Sequence, residues 1–152
     1  MHRLMMTASA AMVALGAAGP GLAQQKESPG ATSQDLGVNN QQIVNKPAGD
    51  PSIVHQYAGT GSHDNVQSTT TSSPGASGNT VVQTTGGSNN AQIAIQTGGA
   101  GNVVEQTQQG SGNRQTAVQS GDGNRAIQSQ TGDSHSGTLN QRGGETGIQI
   151  QK

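Results

Sequence analysis

The stretch Asn102-Val103-Val104-Glu105-Gln106-Thr107-Gln108-Gln109-Gly110-Ser111-Gly112 runs directly into Asn113-Arg114-Gln115-Thr116-Ala117-Val118-Gln119-Ser120-Gly121-Asp122-Gly123, and then into Asn124. The two blocks share Asn first, Gln seventh and Gly ninth. The same columns extend outward in both directions. Asn79, Asn90, Asn102, Asn113 and Asn124 stand 11, 12, 11 and 11 residues apart, and the count continues to His135 and Thr146. Six residues after each stand Thr85, Gln96, Gln108, Gln119, Gln130, Gln141 and Lys152. Eight residues after the first six stand Gly87, Gly98, Gly110, Gly121, Gly132 and Gly143. Three columns in phase over seven units mark a true repeat, with its departures in the first and last units, where end effects belong.

Each unit reads as one strand and one turn. Alternate strand residues share a face, so the Asn/Gln face also carries Val81 and Gln83, Gln92 and Ala94, Val104 and Gln106, Gln115 and Ala117, and Ala126 and Gln128. The opposite face carries Glu105, Arg114 and Arg125. Charge belongs in water, so the amide face is the interior, and glycines at the corners supply positive φ. The interior pairs alternate in order (Val-Gln, then Gln-Ala), which groups two half-units of about 11 residues into a coil of about 22. Coils stacked about 4.8 Å apart place amide on amide. A buried amide left alone costs about 1–3 kcal/mol, so these side chains demand a neighbour above and below. The expected fold class is all-β: an amyloid-like β-solenoid whose end coils are open edges, preceded by a disordered leader. In the last unit, this count puts Ile148 and Ile150 inside, over Ala126 and Gln128, and sets Lys152 in the Gln column.

The segments Gln108-Gln109-Gly110-Ser111-Gly112-Asn113 and Gln119-Ser120-Gly121-Asp122-Gly123-Asn124 resemble the curlin repeat, found in the subunits of bacterial curli fibres. The resemblance spans Asn79 to Lys152. It implies a chain exported unfolded through an outer-membrane secretion pore. There it polymerises with itself, and with a related nucleator or major subunit, into functional amyloid at the cell surface, serving adhesion and biofilm matrix. Asp133-Ser134-His135 in place of Gly-Asn, the Lys at 152 and the missing strand aromatics leave open a major or a minor, nucleating role.

Upstream the repeat degenerates, so residues 38–78 are expected as degenerate repeats or linker. Asp50, Ser52, Val54 and Gln56 keep the spacing of an Asn-to-Gln half-unit, followed by Gly59. Asn40, Gln42 and Val44 begin an earlier unit, and Asn65, Gln67 and Thr69 another. Ten half-units from there make five coils; the regular array alone makes three and a half. Pro47, Pro51 and Pro74 interrupt, and Pro donates nothing to a ladder. Residues 24–37 are expected as the disordered leader. Residues 1–23 have the layout of a secretory signal: His2 and Arg3, an apolar run from Ala8 to Ala18 and a cleavage site after Ala23. That run is shorter than the roughly 20 residues of a membrane span.

Composition narrows the rest. The chain has 24 Gly, no Cys, Trp or Phe, one Tyr, 28% apolar residues and a net charge of −1. It has neither an oily core nor disulfides to replace one, and the charge balance suggests no nucleic-acid partner. His55, His63 and His135 lack metal-ligand spacing and are expected at surfaces or corners. Gly121-Asp122-Gly123 does not recur every nine residues as a calcium-binding β-roll requires. Asp122 and Asp133 therefore stand as solvated corners or as charges against premature aggregation. Thr69-Thr70-Thr71 does not repeat coil by coil, as an ice-binding face would need. With no catalytic arrangement or phosphate loop, an enzyme, a cofactor and a small-molecule substrate are not expected. The competing class is a monomeric extracellular β-solenoid adhesin or binding module, although stable monomeric solenoids require polar caps.

Overall fold

The computed structural model describes residues 24–26, 31–47, 50–72 and 78–152. The signal-like residues 1–23 lie outside it. Twelve strands follow in order: β1 Gln24–Lys26, β2 Ala31–Asp35, β3 Gln41–Asn45, β4 Ile53–Ala58, β5 Val66–Ser72, β6 Thr80–Ser88, β7 Ala91–Thr97, β8 Val103–Ser111, β9 Arg114–Ser120, β10 Arg125–Thr131, β11 Ser136–Arg142 and β12 Thr146–Gln151. There is no helix among the described residues. Odd-numbered strands form one six-stranded sheet in sequence order, and even-numbered strands form the other. Every neighbouring pair is parallel. Parallel strands need a crossover between them, and each sheet's crossover is a strand of the other sheet. The result is a β-solenoid of about five coils built from two facing sheets.

Coil length tightens along the chain. Val54 pairs Val81, Val81 pairs Val104, Val104 pairs Ala126, and Ala126 pairs Gly147, so successive coils take 27, 23, 22 and 21 residues. In the other sheet Gln42, Gln67, Gln92 and Gln115 follow one another, then Gly137. The burial pattern alternates strictly through the regular strands, which fixes one face inward, because a slip of one residue would reverse every side chain. Among the described residues eight small apolar side chains lie inside, including Val44, Val54, Val81, Ala94, Val104, Ala117 and Ala126, together with the Asn and Gln columns. Glu105, Arg114 and Arg125 point outward, and Glu105 meets Arg125 at 3.6 Å.

Three features differ from the sequence expectation. The array begins earlier: β1 and β2 fall within residues 24–37, expected to be a leader, and β2 pairs with β4. Its interior positions carry no Asn or Gln, so no amide column announces it. The second difference is a two-residue shift in β4. Ile53 N–H donates to Asn79 O and Gln56 pairs Gln83, so Ser52, not Asp50, occupies the Asn column. A shift of two preserves the face, and inside–outside alternation cannot detect it.

The third is a one-residue slip in β12, and it reverses the expected faces. Arg125 N–H donates to Glu145 O, and Glu145 N–H donates to Asn124 Oδ1 at 3.1 Å. Glu145 therefore stands in the Asn column in place of Thr146. Gln149 and Gln151 turn inward onto Gln128 and Gln130, while Ile148 and Ile150 are each 62% exposed. The cause is the preceding corner. Gly121-Asp122-Gly123 spans three residues between Ser120 and Asn124, but Gly143-Gly144, with φ of 67° and 73°, spans two between Arg142 and Glu145. Two left-handed glycines make the tighter turn.

Candidate functional site

The interior is built from hydrogen-bonded amide columns. In the even-numbered sheet, Gln56 Nε2 donates to Gln83 Oε1, Gln83 to Gln106 and Gln106 to Gln128, each at 2.8 Å, and Gln128 donates to Gln149 at 3.0 Å. Beside it, Gln108 donates to Gln130, which donates to Gln151. In the odd-numbered sheet, Gln42, Gln67, Gln92 and Gln115 form one column at 2.9, 3.0 and 3.4 Å. Gln96, Gln119 and Gln141 form another at 3.0 and 2.9 Å. All four columns run the same way: each Nε2 donates to the coil that follows it in sequence.

The second Nε2 hydrogen reaches across the core. Gln106 donates to Ile93 O, Gln92 to Thr84 O, Gln115 to Thr107 O and Gln119 to Val103 O, at 2.9–3.1 Å. Each of these carbonyls lies on the opposite sheet. Glutamine thus links coil to coil and sheet to sheet, which its length permits and a shorter asparagine would not reach.

The asparagines Asn79, Asn90, Asn102, Asn113 and Asn124 are buried at strand entrances and bond differently from the simple amide-on-amide ladder. Each Oδ1 accepts a backbone N–H from the next coil: Asn79 from Asn102, Asn90 from Asn113, Asn102 from Asn124 and Asn113 from His135, at 2.9–3.0 Å. In the first four, Nδ2 meanwhile donates to a corner glycine carbonyl one coil on, as Asn90 does to Gly110 and Asn113 to Gly132, at 2.9 and 2.7 Å. Asn124 instead donates to an asparagine side chain of the preceding coil, Asn102 Oδ1 at 3.0 Å, and to Ser120 O in its own.

Backbone conformation accounts for the glycine column. Gly87, Gly98, Gly110, Gly121, Gly132 and Gly143 all have positive φ. At Gly110, moreover, a Cβ would stand 2.0 Å from the Gly132 carbonyl oxygen that Asn113 holds. The residue just before each Asn position is also left-handed, as in Gly101, Gly112 and Gly123, with Asn39, Asp64, Asn89 and Ser134 as the non-glycine cases. Asn and Asp tolerate this region best among side-chain-bearing residues. The Asp122 and Asp133 carboxylates, exposed at corners, accept the N–H of Ala100 and Ser111 one coil earlier, each at 2.7 Å. His55 and His63 are exposed; His135 is half-buried in the Asn column.

Sequence reasoning set Thr85 in the Gln column but missed Thr71, Lys46 and the hydroxyl bonds that begin and join the columns. Thr85 Oγ1 donates to Gln92 Oε1 at 2.8 Å, and Thr71 Oγ1 donates to Asp50 Oδ2 at 2.6 Å. Their protons are therefore committed elsewhere, and the buried Oε1 atoms of Gln108 and Gln96, which stack directly on Thr85 and Thr71, accept nothing. Lys46 lies buried near the head of the Thr71 column, with Nζ donating to Ser52 O. Burial pushes the Asp50 carboxyl up, but hydrogen bonds from Ser52 and Thr71, with the Lys46 charge, hold it below the ordinary carboxylate range. A hydroxyl where the repeat has an amide was the available signal for the Thr residues; nothing local marked Lys46 as interior.

At the array's end the columns change. Gly137 succeeds Gln115, where a Cβ would lie 2.4 Å from Gln149 Oε1, and Leu139 succeeds Ala117. β11 and β12 are the last strands of their sheets, each paired on one side only. The arrangement defines a class: a parallel β-solenoid with a hydrogen-bonded amide core and open sheet ends. Compared with protein families, curated proteins and solved structures, the chain matches none.

Proposed function

We propose that this chain is a secreted structural subunit that self-assembles end to end into curli-like functional amyloid fibres at the cell surface, for adhesion and biofilm matrix. The observation that carries this reading is the open, directional end. Gln149 and Gln151 accept from Gln128 and Gln130 on β12, the edge strand of the even-numbered sheet. Edges of this kind recruit further strands, and like-on-like stacking of amides is the chemistry of cross-β fibres. The likeness of residues 79–152 to the curlin repeat supports the same assignment. It adds an outer-membrane pore and a related nucleating or major subunit as partners.

The test is assembly of residues 24–152 diluted out of denaturant. A lag abolished by preformed fibres is expected, with fibre diffraction at about 4.7–4.8 Å and about 10 Å. A stable monomer across a wide concentration range would overturn the proposal in favour of a solenoid adhesin.

A further inference from the structure

The solenoid's two outer faces are unlike. On the even-numbered sheet, the central outward positions include Glu105, and Arg125 stands beside it in the next coil, both about half exposed. In β3, β5, β7, β9 and β11 of the odd-numbered sheet the two central outward columns carry no charge, although the register of β1 sets Lys26 beside Ile43 at the head of one of them. Their middle is a block of β-branched side chains: Ile93 stacks on Thr116, and Ile95 on Val118. Ser68 and Thr70 precede this block and Thr138 and Asn140 follow it. Arg114 and Arg142 sit at the ends of their strands, at the margins of the face.

We propose that this outer face, on β3, β5, β7, β9 and β11, is a lateral contact for a second copy of the chain, so that fibres pair face to face through it. The proposal rests on the fibre reading above and adds which surface the fibres share. The uncharged centre of the face, from β3 to β11, offers nothing for an acidic or basic partner to complement. Its side-chain rows recur at one strand spacing of about 4.8 Å, and only a partner with the same rise stays in step over many coils, as in the dry interfaces between paired sheets. The opposite face would have to desolvate Glu105 and Arg125 to do the same.

Area sets the order of events. Five strands at about 4.8 Å, each about 23 Å long, make a face of about 550 Å² per copy, or about 1,100 Å² for a pair. That is the bottom of the range for specific association. Single chains therefore pair weakly, while chains stacked in a fibre add their contacts along one rigid array. Lateral pairing follows growth and does not drive it.

The experiment measures seeded elongation and fibre mass per length by scanning transmission electron microscopy. Wild-type fibres are expected at twice the mass per length of a single stack, or more. The pair Ile95→Lys with Val118→Lys should elongate within about twofold of wild type and give single stacks. The control pair Val82→Lys with Thr107→Lys, on the other face, should keep the wild-type mass. If the Lys pair on the odd-numbered sheet does not elongate, Ile95→Ser with Val118→Ser takes its place, again with lower mass per length expected. Single-stack wild-type fibres, or face variants as heavy as wild type, would overturn this proposal and leave the fibre reading standing. Absence of wild-type fibres would sink both.

Discussion

The middle of the solenoid and its two ends follow different rules. From β6 to β10 three interior columns of the even-numbered sheet keep their chemistry: Asn79, Asn102 and Asn124; Gln83, Gln106 and Gln128; Val81, Val104 and Ala126. Gln83, Gln106 and Gln128 there each have a coil on both sides, and each has its donor and its acceptor matched by glutamine. Toward the start, Thr71, Thr85 and Lys46 stand where the column would have amides. Toward the finish, Gly137 ends one Gln column and Glu145 replaces an Asn. Like-on-like stacking is thus obligatory only where partners exist on both sides, and the ends are where the chain departs from it.

The largest effects expected from this contrast lie at the corners. Gly110→Ala combines a positive φ of 110° with a Cβ 2.0 Å from a carbonyl oxygen in the next coil. It should cost about 3 kcal/mol or more. Gly143→Ala, at a φ of 67° with open space around its Cβ, should cost only about 1–2 kcal/mol. Resistance to guanidinium chloride compares them, and equal losses would show that the middle corners are no more constrained than the last one.

Next come the columns. Gln106→Ala removes the acceptor of Gln83 Nε2 and the donor to Gln128 Oε1, both buried. Two amides left short cost about 2–6 kcal/mol together. Gln149→Ala strands only Gln128 Nε2 and should cost about 1 kcal/mol. The same denaturation measurement, with lag times where fibres form, separates them. A Gln149 variant as damaged as the Gln106 one would mean that the column is no weaker at its end.

The regular half of the molecule was legible because Asn, Gln and Gly each answer a separate requirement and recur together. Strand polarity placed Glu105, Arg114 and Arg125 outside without any structure. Register at the ends was not legible, for reasons specific to each end. In β4, a two-residue shift moves Gln56 from the strand-exit column of Thr85 and Gln108 to the level of Gln83 without changing its face, and periodicity is blind to that. In β12, counting residues assumed a three-residue corner, and Gly143-Gly144 makes one with two. β2 has no inward amide to reveal it, since its Gln34 points outward. The cross-core bonds, such as Gln106 to Ile93 O, depend on which strand faces which, a fact that no single half-unit contains.

A pH experiment sharpens the same comparison at the first coils. Asp50 has a native pKa below its unfolded value of about 3.9. Its contribution is present in full above the unfolded value and is lost as pH falls through the lower native one. Protection of the Val44 and Val54 amides from hydrogen exchange should therefore weaken in acid in the wild type. The difference from Asp50→Asn should be constant above about pH 5 and vanish in strong acid. Amides in β8 and β9 should show no Asp50-dependent change. A difference that grew as pH fell would contradict the assigned direction.

The smallest expected effect decides the register of the last strand. Two frames compete for β12: a 22-residue coil turns Ile148 and Ile150 inward, and a 21-residue coil turns Gln149 and Gln151 inward, where they are half-buried. Burying two isoleucines would gain several kcal/mol of transfer free energy. It would also turn Gln149 and Gln151 outward and leave the Nε2 of Gln128 and Gln130 without acceptors, at about 1–3 kcal/mol each. The Gly143-Gly144 corner and the bond from Glu145 N–H to Asn124 Oδ1 tip the balance to the shorter coil. Thr preserves the β-branched shape that suits a strand and removes the apolar end. Ile148→Thr and Ile150→Thr, both on the outer face, should therefore each change stability by no more than about 0.5 kcal/mol. In the longer frame each would bury a hydroxyl and cost about 1–3 kcal/mol. A Gln151→Leu variant supplies the converse, since only in the shorter frame does it deprive Gln130 Nε2 of its acceptor. Silent Ile variants with a damaging Leu variant establish the 21-residue coil; the reverse pattern would return both isoleucines to the interior.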